Sequence, residues 1–152
     1  MKARQATAQD LRQVFSDLAQ RCLDEVETAG YTLEKAKSIF RGLRRDGRLW
    51  ALELNGEAIG LIGFEESEAV GAPFIGTYFF GRERFFSPDV PSVRFGKRFM
   101  RAMQRQFGNL PMVSMCYGNH PKIERWYRLM GYRLAETFDV QRNFVLDPAD
   151  LS

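Results

Sequence analysis

The dipeptide Asn55-Gly56 constrains the fold more than any other feature of this sequence, because it joins two apolar runs in the stretch RLWALELNGEAIGLIGFEE. Both residues of a two-residue hairpin turn adopt positive φ, and Asn-Gly is the strongest signal for such a turn. The pattern therefore predicts two neighbouring antiparallel strands. A further run, APFIGTYFFGRERFF, is rich in aromatic and β-branched residues and predicts another strand.

Helical patterns precede the hairpin. Thr7 stands at an N-cap position ahead of apolar residues that recur at helical spacing, namely Leu11, Val14, Leu18 and Cys22. This predicts one helix that follows a short N-terminal strand, KARQAT, and stops at Gly30. Thr32 then caps a second helix, which Gly47 ends.

After the hairpin the chain alternates between the two element types. A third helix is predicted from Pro91, and MVSMCYG has the composition of a short strand that is buried on both faces. Pro121 fits the first turn of a short helix that Gly131 ends. The stretches YRLAETF and RNFVLD predict two closing strands.

The predicted order of elements is β-α-α-β-β-β-α-β-α-β-β. Intermixed helices and strands indicate an α/β sandwich with a mixed sheet, and the strand-helix-strand unit at residues 74–117 is expected to be a right-handed parallel crossover. A length of 152 residues with 45% hydrophobic residues suits one domain over residues 1–152 with a well-buried core.

Composition excludes several classes of protein. No apolar run reaches about 18 residues, and the N-terminus lacks the apolar stretch of a secretory signal, so we expect a cytoplasmic protein without membrane contact. Cys22 and Cys116 have no Cys or His at metal-ligand spacing, which predicts buried thiols and no metal site. The net charge of +3 permits an anionic partner without requiring one.

Two motifs and the element order carry a resemblance to a known family. The start, RQATAQDLRQVF, has the pattern of that family's first strand and helix, and NHPKIERWYRLMGYR has its C-terminal motif, with Trp126-Tyr127 and Gly131-Tyr132. On these features the chain resembles the GCN5-related N-acetyltransferase (GNAT) family over nearly its whole length. The resemblance implies a mostly antiparallel central sheet with helices on both faces. It also implies transfer of an acetyl group from acetyl-coenzyme A to a primary amine of a small molecule or a protein.

In the GNAT family the coenzyme lies where the fourth and fifth strands splay apart, and its pyrophosphate sits at the N-terminus of the following helix. The family's loop there reads Gln/Arg-x-x-Gly-x-Gly/Ala, and PSVRFG stands in its place here. Gly96 matches the last glycine, whereas Arg94 replaces the first and either obstructs the phosphates or binds them through paired donors. The resemblance implies coenzyme contacts from Arg94, Phe95, Gly96, Lys97 and Asn119. Asn119 has the alternative role of helix N-cap.

The same resemblance implies a catalytic role for Tyr127. In the family a Tyr at this position hydrogen-bonds the coenzyme's sulfur and protonates the departing thiolate; the alternative is that Tyr127 packs on the sheet. A substrate ammonium must also lose a proton before it attacks a thioester. Glu65, near a strand end like Glu66 and Glu83, and His120, which titrates near neutrality, are candidate bases. Each of them has the alternative of simply facing water.

The departures from the family pattern resemble one subgroup, the acetyltransferase-like internal virion proteins of T7-like phages. The stretches FFSPDVPSVRFGKRFMRAM and GNHPKIERWYRLMGYR carry this likeness. It implies a second hypothesis, a catalytically inactive GNAT-fold protein that serves in the virion or in its assembly. Virion proteins or a second copy of the chain are then its partners, and the host cytoplasm or the virion is its location.

A basic stripe follows one side of the third predicted helix, and its members are Arg94, Lys97, Arg98, Arg101 and Arg105. Such a stripe is a solvated face, a guide for the coenzyme's phosphates or an electrostatic surface for nucleic acid. No aromatic residues interleave with the stripe to stack on bases, so nucleic-acid binding is the least favoured of the three.

Overall fold

The computed structural model describes residues 1–151. The strands are β1 (Lys2–Gln5), β2 (Leu49–Leu54), β3 (Glu57–Ala69), β4 (Ala72–Gly81), β5 (Met112–Cys116), β6 (Arg133–Phe138) and β7 (Gln141–Leu146). The helices are α1 (Ala8–Phe15), α2 (Gln20–Ala29), α3 (Leu33–Arg45), α4 (Ser92–Gln106) and α5 (Ile123–Leu129). Within the described residues the strands form one sheet in the order β1-β2-β3-β4-β5-β7-β6. Its neighbouring strands are antiparallel except β4 and β5, which confirms the predicted mixed, mostly antiparallel sheet.

Local signals place several element ends where the sequence predicts them. Asn55 and Gly56 have φ of 52° and 85°, as the turn between β2 and β3 requires. The Thr7 hydroxyl accepts the Asp10 N–H at 3.2 Å, and the Asp10 carboxylate accepts the Thr7 N–H at 2.8 Å. This reciprocal pair satisfies two backbone donors at the start of α1. Gly30 ends α2 with φ of 78°, in the left-handed region that favours glycine.

The single first helix predicted from the sequence is wrong, because the structure has two helices there, α1 and α2. Between them the Ala19 N–H donates to the Gly81 carbonyl at 2.9 Å, and Leu18 forms an isolated antiparallel bridge with Arg82. Backbone groups bonded to the end of β4 cannot also continue a helical ladder. The observed order therefore has one more helix than predicted.

Two further boundaries differ from prediction. The strand APFIGTYFFGRERFF is shorter than expected, because its last residues, Glu83–Phe86, form a 3-10 turn. The last helix begins at Ile123, so Pro121 lies before its first turn and Asn119 is not its N-cap. The Ile123 N–H instead donates to the His120 carbonyl at 3.1 Å, which closes a tight turn ahead of α5.

Helices cover both faces of the sheet, as predicted. Successive side chains of β3 alternate between the faces. Leu61 packs with Phe40 of α3 in one buried cluster, while Ile62 and Phe64 pack with Met103 of α4 in the other. Burying a side chain of this kind contributes about 1.5–3 kcal/mol, so both clusters stabilise the sheet.

Gln104 anchors α4 to the end of the sheet. This buried side chain places its amide nitrogen 3.0 Å from the Leu110 carbonyl oxygen and 3.1 Å from those of Leu146 and Asp147. Its amide oxygen accepts a hydrogen bond from Arg101 at 2.7 Å. Arg101, one member of the basic stripe, is therefore bonded within the protein, and α4 has a fixed position relative to β7.

Cys22 and Cys116 are buried free thiols, as predicted. Burial raises the pKa of each thiol to about 11. Among residues 1–151, no helix combines the length and hydrophobicity that a bilayer crossing needs. In that same part of the chain, His, Cys, Asp and Glu side chains form no group of three that could hold a metal ion.

Candidate active site

β4 and β5 separate part-way along the sheet. Residues 75–77 of β4 lie beside residues 112–114 of β5, and beyond them the described strands have no further pairing with each other. β4 nevertheless continues to Gly81 and β5 to Cys116, while β5 stays paired with β7 along its whole length. Backbone groups of β4 that point away from β3 therefore have no strand partner after Thr77. They face a wedge-shaped opening, hereafter the β4–β5 gap, at the place where the sequence predicted a splay.

Helix α2 spans the open end of the β4–β5 gap. At one side the Ala19 N–H donates to the Gly81 carbonyl at 2.9 Å, and at the other Glu25 Oε1 accepts the Tyr117 N–H at 3.0 Å. The N-terminal end of α2 is thus bonded to the end of β4, and a side chain of the same helix is bonded to the residue that follows β5.

Tyr127 lies at the closed end of the β4–β5 gap. Its hydroxyl is 2.6 Å from Ser114 Oγ, and Ser114 is the last residue of β5 that pairs with β4. The ring stacks on Phe144, with centroids 4.3 Å apart and an interplanar angle of 9°, so it also packs on the sheet. Burial raises the pKa of Tyr127 well above its usual value, and nearby Cys116 and Glu25 raise it further. The phenol therefore keeps its proton at neutral pH.

An apolar cavity of about 40 Å³ lies in the gap on the side of α4 and α5. Tyr127 and Ser114 contribute polar groups to its lining. Aromatic side chains fill the surrounding space, and the Phe79 ring centroid is 4.7 Å from that of Phe85 and 6.3 Å from that of Trp126. A volume of this size holds about one or two water molecules. A coenzyme thiol arm is larger than this volume and therefore cannot lie wholly inside the cavity.

The first turn of α4 offers free backbone donors. The segment compared with the family's loop is helical from Ser92 onward, and the N–H groups of Ser92 and Phe95 bond to carbonyls of the preceding residues. Within residues 1–151, the N–H groups of Val93 and Arg94 have no protein acceptor. Unpaired amides at a helix start attract anions. The Arg94 side chain is exposed, so it does not block the β4–β5 gap.

Phe95 and Gly96 face the protein interior. Phe95 stacks on Phe99 at a centroid distance of 5.7 Å and lines the cavity. Gly96 packs against α5, because a Cβ at this position would lie 2.7 Å from Met130 Sδ. Lys97 is exposed. The close contact between α4 and α5 therefore explains why a glycine stands at position 96. The coenzyme contacts assigned to Arg94, Phe95, Gly96 and Lys97 stay predictions.

His120 and Asn119 lie in the loop between β5 and α5, on the rim of a groove beside the gap. His120 Nδ1 accepts the Lys122 N–H at 3.2 Å, which stabilises the turn. Burial and the positive charges of Arg21 and Lys122 lower the pKa of His120, so the ring is neutral at pH 7. Among the described residues no hydrogen bond joins His120 to Tyr127. The predicted roles of His120 and of the exposed Asn119 stay predictions.

Glu65 lies on β3 opposite Gly76 of β4. Glu65 lies four residues after Leu61 in the same strand, so both side chains point to the same face of the sheet, which is covered by α1 and α3. The Tyr78 hydroxyl donates to Glu65 Oε1 at 3.2 Å. Burial, helped by Glu65, raises the pKa of Tyr78 to about 12. Glu65 is exposed at the edge of the site, and its catalytic role stays a prediction.

Glu25 is a site residue that no sequence motif predicted. Its carboxylate accepts the Tyr117 N–H at the open end of the gap. Burial raises the pKa of Glu25, and the Tyr117 N–H and Arg142 oppose that shift without cancelling it. The one available signal was position, because Glu25 falls three residues after buried Cys22 and one before buried Val26, on the face of α2 that packs inward.

Solved structures share this fold, although no model of a protein family and no curated protein matches the sequence. The GNAT domain of PAT from S. lividans superposes with a TM-score of 0.71 at 15% identity, covering 95% of this chain and 89% of that one. A GNAT family acetyltransferase from Brucella melitensis in complex with acetyl-CoA gives a TM-score of 0.58 at 17% identity, covering 97% and 88%. The PaiA N-acetyltransferase from Thermoplasma acidophilum in complex with coenzyme A gives 0.65 at 9% identity, covering 97% and 98%.

The chain has the GNAT fold. The predicted fold class is confirmed, and the β4–β5 gap corresponds to the splay expected between the fourth and fifth strands of a GNAT protein. Identities of 17%, 15% and 9% establish a common fold and not a common substrate. The likeness to virion proteins of T7-like phages stays a prediction.

Proposed function

We propose that this GNAT-fold protein transfers the acetyl group of acetyl-coenzyme A to a primary amine of a small molecule or a protein. The position of Tyr127 carries the proposal, because its protonated hydroxyl lies beside Ser114 where β4 and β5 part. A proton donor at this point suits a sulfur leaving group held in the β4–β5 gap. GNAT structures with bound acetyl-CoA or coenzyme A support this choice of ligand.

The chain offers two sets of groups to the coenzyme. Unpaired backbone groups of β4 after Thr77 suit the amides of the pantetheine arm, which would lie as an additional strand. The free N–H groups of Val93 and Arg94, with the Arg94 guanidinium, suit the diphosphate. Exposed Lys97 adds positive charge on the same helix, and Asn119 is a further polar group on the rim.

Acetyl-coenzyme A, when bound, supplies a thioester whose carbonyl carbon accepts an amine nitrogen. In the transfer the N–C bond forms, the C–S bond breaks and the electron pair of that bond goes to sulfur. Tyr127 holds the proton that sulfur then takes. Because burial raises the pKa of Tyr127, the phenol does not lose this proton before negative charge develops beside it.

A catalytically inactive GNAT-fold protein is the second candidate, and the packing of the gap favours it. Aromatic side chains leave a cavity of about 40 Å³ in the gap. Such a protein suits a scaffold in a phage virion or its assembly, with virion proteins or a second copy of itself as partners. Its location is then the host cytoplasm or the virion.

Calorimetric titration with acetyl-coenzyme A, followed by an assay of thiol release with a panel of primary amines, separates the two functions. A transferase binds the coenzyme saturably and releases thiol when an amine is added. An inactive scaffold gives no heat and no thermal shift at millimolar coenzyme.

Tyr127→Phe tests the proton donor directly. We expect kcat to fall about 10²–10⁴-fold with little change in coenzyme affinity, since general acid catalysis typically contributes that much. Tyr132→Phe is the matched control, because Tyr132 is a buried neighbour whose ring centroid is 5.3 Å from that of Tyr127 and whose hydroxyl has no hydrogen bond within residues 1–151. Equal turnover of the two variants contradicts the role assigned to Tyr127.

A further inference from the structure

Glu25 is a partly buried carboxylate on which the positive charge of Arg142 acts from beyond ion-pair distance. Its Oε1 accepts the Tyr117 N–H at 3.0 Å, but within residues 1–151 it forms no ion pair with a lysine, arginine or histidine. Burial removes water from a carboxylate and so costs desolvation free energy, which a paired positive charge normally offsets. The site therefore suits a cationic ligand.

We infer that Glu25 binds the ammonium group of the acceptor amine and accepts its proton. This inference rests on the transferase function proposed above. An ammonium at Glu25 lies at the open end of the β4–β5 gap, which α2 spans, whereas Tyr127 lies at the closed end. The two groups are near enough that Glu25 contributes to the raised pKa of Tyr127. An acetyl thioester between them has a proton acceptor on the amine side and a proton donor on the sulfur side.

Tyrosines around Glu25 indicate the class of the acceptor. The Tyr78 hydroxyl donates to Glu65 Oε1 at 3.2 Å, and the Tyr117 N–H donates to Glu25 Oε1 at 3.0 Å. Each of these two carboxylates therefore has a tyrosine beside it. Aromatic faces attract a cation and cover apolar carbon, while carboxylates repel an acid. The expected acceptor is a primary alkyl or aralkyl amine without a carboxylate close to its nitrogen.

The proton balance requires both residues. The acceptor nitrogen begins as an ammonium and ends as an amide, so it loses two protons. The first passes to the Glu25 carboxylate and then to solvent, which frees the lone pair that forms the N–C bond. The second leaves the nitrogen as the C–S bond breaks, and it replaces the proton that Tyr127 gives to sulfur. The protein thus returns to its starting protonation state.

The thiols and phenols around this site stay neutral at pH 7, because burial raises the pKa of each of them, namely Cys22, Cys116, Tyr117 and Tyr127. Burial also raises the pKa of Glu25 towards neutral pH, and a general base is most effective when its pKa lies near the working pH.

Glu25→Gln and Glu25→Asp test the inference, with Glu27→Gln as the matched control because Glu27 is an exposed acid on the same helix. We expect Glu25→Gln to lower kcat/KM for an alkylamine about 10²–10⁴-fold, to remove the acidic limb of the pH profile and to leave acetyl-coenzyme A affinity unchanged. Glu25→Asp is expected to recover part of the activity. Glu27→Gln is expected to match the wild type.

A second measurement does not depend on turnover or on the folding of a variant. In ¹³C NMR of the wild-type protein, a saturating alkylamine is expected to lower the pKa of the Glu25 carboxyl, because a bound cation favours its charged form. An unchanged titration overturns the inference. So does a Glu25→Gln variant as active as Glu27→Gln in an enzyme that binds and uses acetyl-coenzyme A. A wild-type protein that does not bind acetyl-coenzyme A overturns the transferase function and the inference together.

Discussion

Replacing Gly96 with alanine puts a methyl group into the contact between α4 and α5. A Cβ at this position lies 2.7 Å from Met130 Sδ, whereas non-bonded carbon contacts are normally about 3.5–4.0 Å. Met130 is 4% exposed, so its side chain has little space into which to move. Overpacking of this kind costs about 1–3 kcal/mol, and alanine returns about 1 kcal/mol through its higher helix propensity. The net expectation is a loss of about 0–2 kcal/mol in the free energy of unfolding.

Gly42→Ala is the matched control for this change. Gly42 lies inside α3, and the nearest atom to an added Cβ is Arg45 Nη2 at 3.9 Å, an ordinary contact. The same substitution there is expected to stabilise the protein by about 0.5–1 kcal/mol. Urea denaturation with equal m-values measures both variants. A double-mutant cycle with Met130→Ala is expected to show that removing the Met130 side chain relieves the cost of Gly96→Ala.

The reasoning is refuted if Gly96→Ala gains as much stability as Gly42→Ala, or if Met130→Ala and Gly96→Ala are simply additive. The same pair of variants also separates the two roles considered for Gly96. A packing role predicts lost stability. A coenzyme contact predicts weaker acetyl-coenzyme A binding at unchanged stability.

Three further predictions concern buried polar groups. Gln104→Leu leaves buried carbonyls without a donor and is expected to lower the free energy of unfolding in urea by about 1–3 kcal/mol; an unchanged midpoint contradicts this. Burial alone raises the pKa of Asp10, but the hydrogen bonds from Arg4 and Thr7 outweigh burial and leave the pKa below its usual value. The ionised Asp10 carboxylate therefore stabilises the folded protein above about pH 4, and this stabilisation is lost as pH falls through the folded pKa. Acid denaturation is therefore expected to be shallower in Asp10→Asn. Burial instead raises the pKa of Glu25, so ionisation of this carboxyl destabilises the folded protein as pH rises through the folded pKa. Glutamine cannot ionise, and Glu25→Gln is therefore expected to raise the Tm at pH 8 but not at pH 4.

Much of the fold was predictable because its signals are local. The Asn55-Gly56 turn, the Thr7 cap and the end of α2 at Gly30 each depend on residues within a few positions, which the sequence displays directly. The break between α1 and α2 depends on a hydrogen bond from Ala19 to Gly81, far along the chain. No helical periodicity reports such a bond, so the two helices were predicted as one.

The candidate site divides in the same way. The place of Tyr127 beside the gap was predictable because its helix has a recognisable stop and carries a family motif, and its catalytic role stays a prediction. Glu25 was not, since its partner Tyr117 is 92 positions away, and a place on the inward face of α2 does not by itself identify that partner. The packing of Gly96 on Met130 was equally hidden, because it depends on the relative position of two helices.

Backbone amide NMR during titration with acetyl-coenzyme A tests most directly whether the β4–β5 gap holds the coenzyme. Binding there predicts saturable shifts of the amides of Tyr78 and Phe79 on β4 and of Val93 and Arg94 on α4, together with a shift of the Trp126 indole. A spectrum unchanged at millimolar coenzyme, or shifts confined to residues outside these segments, would contradict a coenzyme site in the gap.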